Sequence, residues 1–568
     1  MQSTAYYLLD ALQEHGVELL FCNLGTDHAP LIEEIARRQA EGRPTPRTVL
    51  VPHENVAVHM AAGYAIATGR GQAVLVHVDV GTANAAMALH NVARMRVPVL
   101  LLAGRAPFTS HGELPGSRDT YVHYIQEPFD QGSLVRPYVK WEYTLPSGVI
   151  TKEVLDRAWS VMQSDPRGPV YLMLPREVLA QEWPDESVRS PASRPVVAQD
   201  VADDALGEIA DRLLASESPL LVTAYAGRRV EAVAAIDALA RFAGVRVCEF
   251  NPLYLNIPRA CPCFAGWQPA PWVAGADVGL MVDVDVPWLQ NEVTAPANAY
   301  WAQIDVDAVK RDLPLWSFPA DRRIEGDSAA VLTRLLRLLR ERATPAFLER
   351  AARRMETLAA EHAQRTQRLA ALALDPGAPG KINPHHLCAA VARRLCSDDI
   401  VLNEAVRNAP AVFAQIPDLE PGALVGLAGG GLGFSAGAAL GLKLARPHAT
   451  VVQFVGDGSF YFCNPDAALA VSQRYGLPVL TIVLDNAGWS AVKEATLRMY
   501  PAGFARSQDM FQSEFLPDVD FAAMARGAGA YGERLVDPND INEALDRAFD
   551  VVRIEGRSAV LQVALGAH

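Results

Sequence analysis

Short, uninterrupted apolar runs recur along the chain, separated by longer stretches with helical spacing. They are TVLVP (48–52), AVLVHV (73–78) and VPVLLLAG (97–104), then PLLVTA (219–224), VGLMVDVDV (278–286) and YWAQIDVD (300–307). A last set follows: DIVLNE (399–404), TVVQFVGD (450–457), PVLTIVLDN (478–486) and AVLQVAL (559–565). Runs without polar alternation, alternating with helices, predict strands buried on both faces, hence parallel sheets covered by helices on each side. Two stretches rich in Pro, charge and small polar residues, 181–200 and 373–386, read as linkers. The expected fold class is therefore α/β, with three doubly wound parallel-sheet domains at about 1–182, 198–345 and 380–568. The first 21 residues, MQSTAYYLLDALQEHGVELLF, have no basic start and no continuous apolar core, so they read as an amphipathic helix rather than a signal peptide.

Composition narrows the partners. The chain has 568 residues, 51 Lys+Arg against 65 Asp+Glu and a formal charge of −14, which favours small-molecule ligands and gives no reason to expect nucleic acid or an anionic membrane surface. Residues 421–442 carry no charge and are long enough to span a bilayer, but eight of them are glycine and GGGLG at 429–433 would break a helix, so no membrane span is expected. Cys22, Cys248, Cys261, Cys263, Cys388, Cys396 and Cys463 lack CxxC spacing and read as reduced thiols, which fits a cytoplasmic protein.

Candidate chemistry concentrates in residues 450–489. A strand ends at Val455, GDGS makes a turn, a helix of about four turns follows, and a second strand ends at Asp485-Asn486. A right-handed crossover then puts Asp457 and Asn486 at the C-terminal edges of two parallel strands, where open α/β sheets bind ligands. Gly456 and Gly458 allow close approach of a ligand, and the amides opening the helix suit an anion. A carboxylate, an amide oxygen and a backbone carbonyl are hard oxygen donors suited to Mg²⁺ bridging a diphosphate. The same residues would also serve as a plain turn and a strand cap. A second candidate is Glu54 in VPHENVAVHMAAGYAIATG (51–69): small apolar residues at 57, 61 and 65 put it on the buried face of a helix, where a carboxylate needs a partner.

With GDG and, 29 residues after Asp457, Asn486, the sequence resembles the thiamine-diphosphate-dependent enzymes over essentially its whole length. The resemblance implies an aminopyrimidine-binding N-terminal domain, a central domain and a diphosphate-binding C-terminal domain. It implies Mg²⁺ held by Asp457, Asn486 and the Gly488 carbonyl, and diphosphate contacts from Gly456, Gly458 and Ser459. Glu54 would hydrogen-bond the aminopyrimidine, Gly430 would hold its amino group, Leu432 would wedge the cofactor into a bent shape, and Asn84 and Val492 would contact it. The family usually has Asn-Asn where this chain has Asp485-Asn486. Because the family joins the Glu domain of one subunit to the GDG domain of another, the resemblance implies a homodimer or homotetramer with active sites at the subunit interface.

Two subfamilies leave fingerprints. Similarity to benzoylformate decarboxylase rests on VLNE (401–404), AGGGLGF (428–434), VKWEY (139–143), on Thr26 in NLGTD where that enzyme has a substrate-binding Ser, and most on His77 in VLVHVDVGTAN, although its middle-domain His has no counterpart near PWLQ (287–290). Similarity to acetolactate synthase rests on GDGSF, on YIQEPFD (124–130) with Gln126, and on Val492; Leu432, His77 and Ala495 depart from its pattern. The expected activity is decarboxylation of a 2-oxo acid, with release of an aldehyde or ligation of the decarboxylated fragment to a second carbonyl. Glu54, His77, Gln126 and Thr26 are the expected catalytic residues, with His28 and Trp489 shaping the pocket. The middle third shows no glycine-rich nucleotide loop, which argues against FAD. A 2-hydroxyacyl-CoA lyase or oxalyl-CoA decarboxylase type is the alternative, although no added C-terminal lid follows LQVALGAH; a non-catalytic cofactor-binding regulator is a more remote one. Asp79 stands where the family often has Gly or Ala.

Overall fold

The computed structural model describes residues 1–190, 193–197, 201–416, 419–515 and 519–566. The expected domain edge at 198 and the chain end at 568 lie outside them. Each apolar run above forms a strand, and the strands assemble into three parallel sheets. The first sheet has the spatial order Arg47–Leu50, Leu19–Cys22, Gln72–Val76, Val99–Arg105, Val170–Pro175, Glu142–Thr144. The last has Leu424–Gly426, Ile400–Glu404, Val451–Gly456, Leu480–Asp485, Ala559–Ala564, Tyr531–Leu535. Numbered by sequence within each sheet, both read 2-1-3-4-6-5. The middle sheet, Arg246–Glu249, Pro219–Thr223, Val278–Val282, Tyr300–Asp305, Arg322–Glu325, reads 2-1-3-4-5. In such sheets the crevice between strands 1 and 3, at their C-terminal ends, is the topological switch point where ligands bind.

Strand residues alternate between two cores. In the first sheet Ala73 and Leu75 pack on one side with the helices Thr4–Glu14 and Thr151–Gln163. Val74 and Val76 pack on the other, into a core that also contains Ile400, Leu402, Val451, Val455 and Val483 of the last sheet. The first and last sheets therefore share one core. Between them lie the helices Glu54–Thr68 and Phe434–Ala445, in intimate contact through glycine: a Cβ on Gly63 would fall 2.2 Å from the Ala438 carbonyl oxygen, and one on Gly441 2.0 Å from that of Met60. Only hydrogen fits at these crossings.

Two expectations need correction. The first 21 residues are not one helix: it runs Thr4–Glu14 and stops at His15-Gly16, where Gly16 takes φ 75, and Leu19–Cys22 becomes a central strand. GDGS is not a turn, because Asp457 is the first residue of the helix Asp457–Phe462, and a break at Asn464 (φ 49) separates it from the helix Pro465–Tyr475. The free-standing Pro465 explains the interruption, since it suits a first helical turn and not an interior. The helix Pro345–Leu372, 28 residues long, leads from the middle region towards the last. Among the described residues all seven cysteines are free, and no helix is long and apolar enough to cross a membrane.

Candidate active site

In the last third, the strand Val451–Gly456 delivers Asp457 to the switch point, beside the end of Ile400–Glu404. Asp457 is buried and accepts from the Gly458 amide at 2.9 Å and the Gly488 amide at 2.8 Å. Burial pushes its carboxyl up to about 7, against those two backbone donors, and the nearby Asp485 adds to the rise. One terminal atom of the Asn486 amide lies 2.7 Å from the Gly488 carbonyl oxygen and 3.3 Å from Asp457 Oδ1. As nitrogen it donates to both. As oxygen it completes a cluster of three oxygens that repel one another unless a hard cation lies among them, and a carboxylate, an amide and a carbonyl are the donors such a cation takes. Among the described residues no group of three or more His, Cys, Asp or Glu side chains is placed to hold a metal, so a cation here depends on the amide and the carbonyl.

Asp485 builds the turn that makes this possible. Its two carboxylate oxygens accept from the Ala487 amide (3.0 Å) and Gln562 Nε2 (2.8 Å), and Ala487 is held at φ 63, a left-handed conformation costly for a residue with a side chain. Gly458 lies under the Trp489 ring, which a Cβ would meet at 2.5 Å, and Trp489 packs edge-on against Phe515. Ser459 is buried in the same first helical turn, and Gly456 precedes it as the helix cap. Leu432 is half-buried and Gly430 exposed at φ 72, in a loop gripped by the first third of the chain: His90 Nε2 meets the Gly429 carbonyl at 2.5 Å. Val492 is exposed, on the helix Ser490–Met499, which has no buried residue.

In the first third, Glu54 is the first residue of its helix, buried, and its Oε2 accepts from Asn84 Nδ2 at 3.2 Å. Asn84 is exposed. His77 caps the strand Gln72–Val76 at the other switch point, with Nδ1 2.5 Å from Asp27 Oδ1 and Nε2 3.1 Å from Gln126 Oε1. The hydrogen bond to Asp27 raises the imidazole above its ordinary value; burial opposes, and the charge of Asp27, Gln126 and Asp79 add to the rise. Thr26 is exposed, its Oγ1 3.3 Å from Nε2 of the buried His123. His28 is fully buried, and this burial holds its imidazole below the ordinary value.

The expected residues thus fall into three groups. Thr26, His77 and Gln126 share one cluster with His28 and His123, Glu54 pairs with Asn84, and Asp457, Asn486 and Gly488 form the oxygen cluster. Among the described residues no hydrogen bond joins Glu54, Asn84 or His77 to Asp457, Asn486 or Gly488 within the chain. Three residues went unnoticed in the sequence. Asp27 is hidden beside His28 in a short 3₁₀ turn. Asn91 lies one helical turn from Met87 and Ala88, in a segment with no local sign of a role. Glu404 is buried at a strand end and accepts from the amides of Gly433 (2.6 Å), Phe434 (3.4 Å) and Ser435 (2.8 Å), the open N-terminus of the helix Phe434–Ala445. Burial raises the Glu404 carboxyl, and the Ser435 hydroxyl and these amides offset part of the rise. Only the VLNE strand end could have signalled it.

Known proteins carry the same architecture. Residues 2–134 match the family model of the thiamine pyrophosphate enzyme N-terminal TPP binding domain, and residues 412–563 that of the C-terminal TPP binding domain. The chain belongs to the thiamine-pyrophosphate-dependent enzymes. Within them it is related to benzoylformate decarboxylase of Pseudomonas aeruginosa, 27% identical over 95% of both chains, and to the acetolactate synthase large subunit of Lactococcus lactis, 24% identical over 96% of this chain and 90% of that one. In fold it is similar to the thiamine diphosphate-dependent 4-hydroxybenzoylformate decarboxylase of Rhodococcus jostii RHA1, with TM-score 0.79, 22% identity and full coverage of both chains. Benzoylformate decarboxylase from Polynucleobacter necessarius gives TM-score 0.79 at 18% identity, over 100% of this chain and 99% of that one.

Proposed function

We propose that this enzyme binds thiamine diphosphate with Mg²⁺ and decarboxylates a 2-oxo acid, releasing the aldehyde by proton delivery from His77. The observation that carries the reading is the convergence of Asp457 Oδ1, the Asn486 amide and the Gly488 carbonyl beside the amides of Gly458 and Ser459. Those oxygens would hold the cation, and the helix opening at Asp457 would receive the diphosphate. When bound, the thiazolium supplies the nucleophile and electron sink that decarboxylation of a 2-oxo acid requires. Glu54, buried and with no hydrogen bond to Oε1 among the described residues, would receive the aminopyrimidine and hold a proton at its N1′ position. Leu432 and the Gly430 carbonyl would shape the cofactor, with Asn84 and Val492 beside it. Thr26, Gln126 and His77 would orient the substrate carboxylate, and His77 Nε2 would hand a proton to the carbon that has lost carbon dioxide.

A dimer with sites between subunits fits the same facts. Among the described residues no hydrogen bond joins Glu54 to the oxygen cluster within one chain, and exposed apolar side chains lie close in sequence to Gln126 (Tyr121, Ile125 and Phe129) and at and just beyond the end of the helix Ser490–Met499 (Met499, Tyr500 and Phe504). Ligation to a second carbonyl is the competing outcome, favoured by Gln126 lying beside His77.

Two experiments test the reading. Glu54→Ala is expected to keep Mg²⁺-dependent diphosphate binding and to lose hydrogen exchange at thiazolium C2 measured by NMR; unchanged exchange overturns the role of Glu54. A panel of pyruvate, 2-oxobutyrate, branched and aryl 2-oxo acids and a 2-hydroxyacyl-CoA, with aldehyde and hydroxyketone products separated, is expected to show 2-oxo acid decarboxylation with aldehyde dominant. Turnover of the acyl-CoA alone refutes it.

A further inference from the structure

Asp27 is a carboxylate 1% exposed at the end of a sheet, with two hydrogen-bond donors on it and a second imidazole nitrogen close by. His77 Nδ1 lies 2.5 Å from Oδ1, His28 Nε2 lies 3.2 Å from Oδ2, and the Val78 amide donates to Oδ2 at 3.4 Å. The room is made by two glycines: a Cβ on Gly104 would fall 1.4 Å from Asp27 Oδ2, and one on Gly25 2.0 Å from His77 Nδ1. Val78, β-branched, is held at φ 26 immediately after His77, a strained conformation that directs its amide at Asp27.

The hydrogen bonds decide where the protons sit. The Gly25 amide donates to His28 Nδ1 at 3.0 Å, so a neutral His28 carries its proton on Nε2, facing Asp27. An ionised carboxylate only accepts, so His77 Nδ1 is also a donor. His77 Nε2 then faces Gln126 Oε1, another acceptor, and an imidazole with an acceptor at both nitrogens is matched to its protonated form.

We propose that Asp27 is a positioning residue for His77: it fixes the ring through Nδ1–H and keeps it an imidazolium, so that Nε2–H is the acid at this end of the site. The proposal rests on the thiamine reading above for its consequence but not for its test. In the reaction the Nε2–H bond breaks and a C–H bond forms at the carbon that lost carbon dioxide. Solvent then reprotonates the imidazole, and Asp27 stays ionised throughout. The charged and titratable groups facing His77 are Asp27 from the turn after the first strand, His28 behind it, Asp79 on its own helix, and His123 on the segment that carries Gln126. Burial favours a neutral Asp27, but the His77 hydrogen bond and the two neighbouring imidazoles outweigh it and leave the carboxyl below its usual value.

The test uses the full-length protein with ¹⁵N-labelled histidine rings, without substrate, and His77→Gln to identify the His77 signals. The expected result is an Nδ1–H tautomer for neutral His77 and a titration midpoint above 6.5. In Asp27→Asn the midpoint is expected to fall below the wild-type value, because the hydrogen bond that raises it is lost. A wild-type His77 titrating at or below 6.5, or a folded Asp27→Asn protein with an unchanged midpoint, overturns the proposal. Should Asp27→Asn not fold, the wild-type tautomer and midpoint still decide. Loss of the thiamine reading would register instead in the C2 exchange of Glu54→Ala, leaving the His77 titration unaffected.

Discussion

The side-chain amide of Asn91 grips the backbone of Gly431 at both ends, donating from Nδ2 to its carbonyl at 2.8 Å and accepting at Oδ1 from its amide at 3.1 Å. Nδ2 also lies 3.2 Å from Nε2 of the buried His59, whose imidazole burial pushes down to about 3, so it is a neutral acceptor. This one residue of the first third therefore fixes the height of the 429–433 loop in the last.

Asn91→Ala is expected to cost roughly 2–3 kcal/mol, because it strands buried partners rather than removing exposed hydrogen bonds. Cofactor affinity should fall about tenfold as Gly430 and Leu432 loosen, or ~1.4 kcal/mol. Denaturant unfolding and titration calorimetry with thiamine diphosphate and Mg²⁺ measure the two effects. Unchanged affinity in a folded variant would mean that the loop does not shape the cofactor site.

The helix crossing between the first and last thirds should be intolerant of a single methyl group. Gly441→Ala places a Cβ 2.0 Å from the Met60 carbonyl oxygen and 2.8 Å from the Tyr64 amide, both backbone, so a helix must shift. A loss of ~3 kcal/mol is expected from overpacking. Gly275→Ala, with nothing within 4 Å, is the control and should stay within about 0.5 kcal/mol.

Trp489 is placed to report on the proposed cation site. Its ring covers Gly458, next to Asp457. Adding Mg²⁺ with thiamine diphosphate is expected to change tryptophan emission in the wild type and not in Trp489→Phe, and a chelator should reverse the change. Asn486→Ala should abolish the response by removing one oxygen from the cluster. An undiminished response in that variant would remove Asn486 from the proposed ligand set.

The Asp27–His77 pair makes stability depend on pH in two directions. His77 is raised above 6.5, so its contribution is fully present below that value and is lost as pH rises through the folded-state midpoint. Asp27 is lowered from 3.8, so its contribution is present above that value and is lost as pH falls through the folded-state midpoint. The stability gap between wild type and His77→Gln should therefore narrow as pH rises from 6.5 towards 9. A gap that widens over that range contradicts the assignment.

The sequence by itself determined the strands, because residues buried on both faces leave no polar alternation, and it marked Asp457, Asn486 and Glu54 as candidates, because the signal lies in local spacing along a strand end or one helix face. It misread ELLF as helix, since a short apolar run is ambiguous until neighbours supply ladder hydrogen bonds. It passed over Asp27, Asn91 and Glu404, each an unexceptional polar residue in its own segment. Only the tertiary structure decided their roles, because a carboxylate becomes the partner of a histidine 50 residues away, and an amide the clamp on a glycine 340 residues away, through contacts that no local pattern encodes.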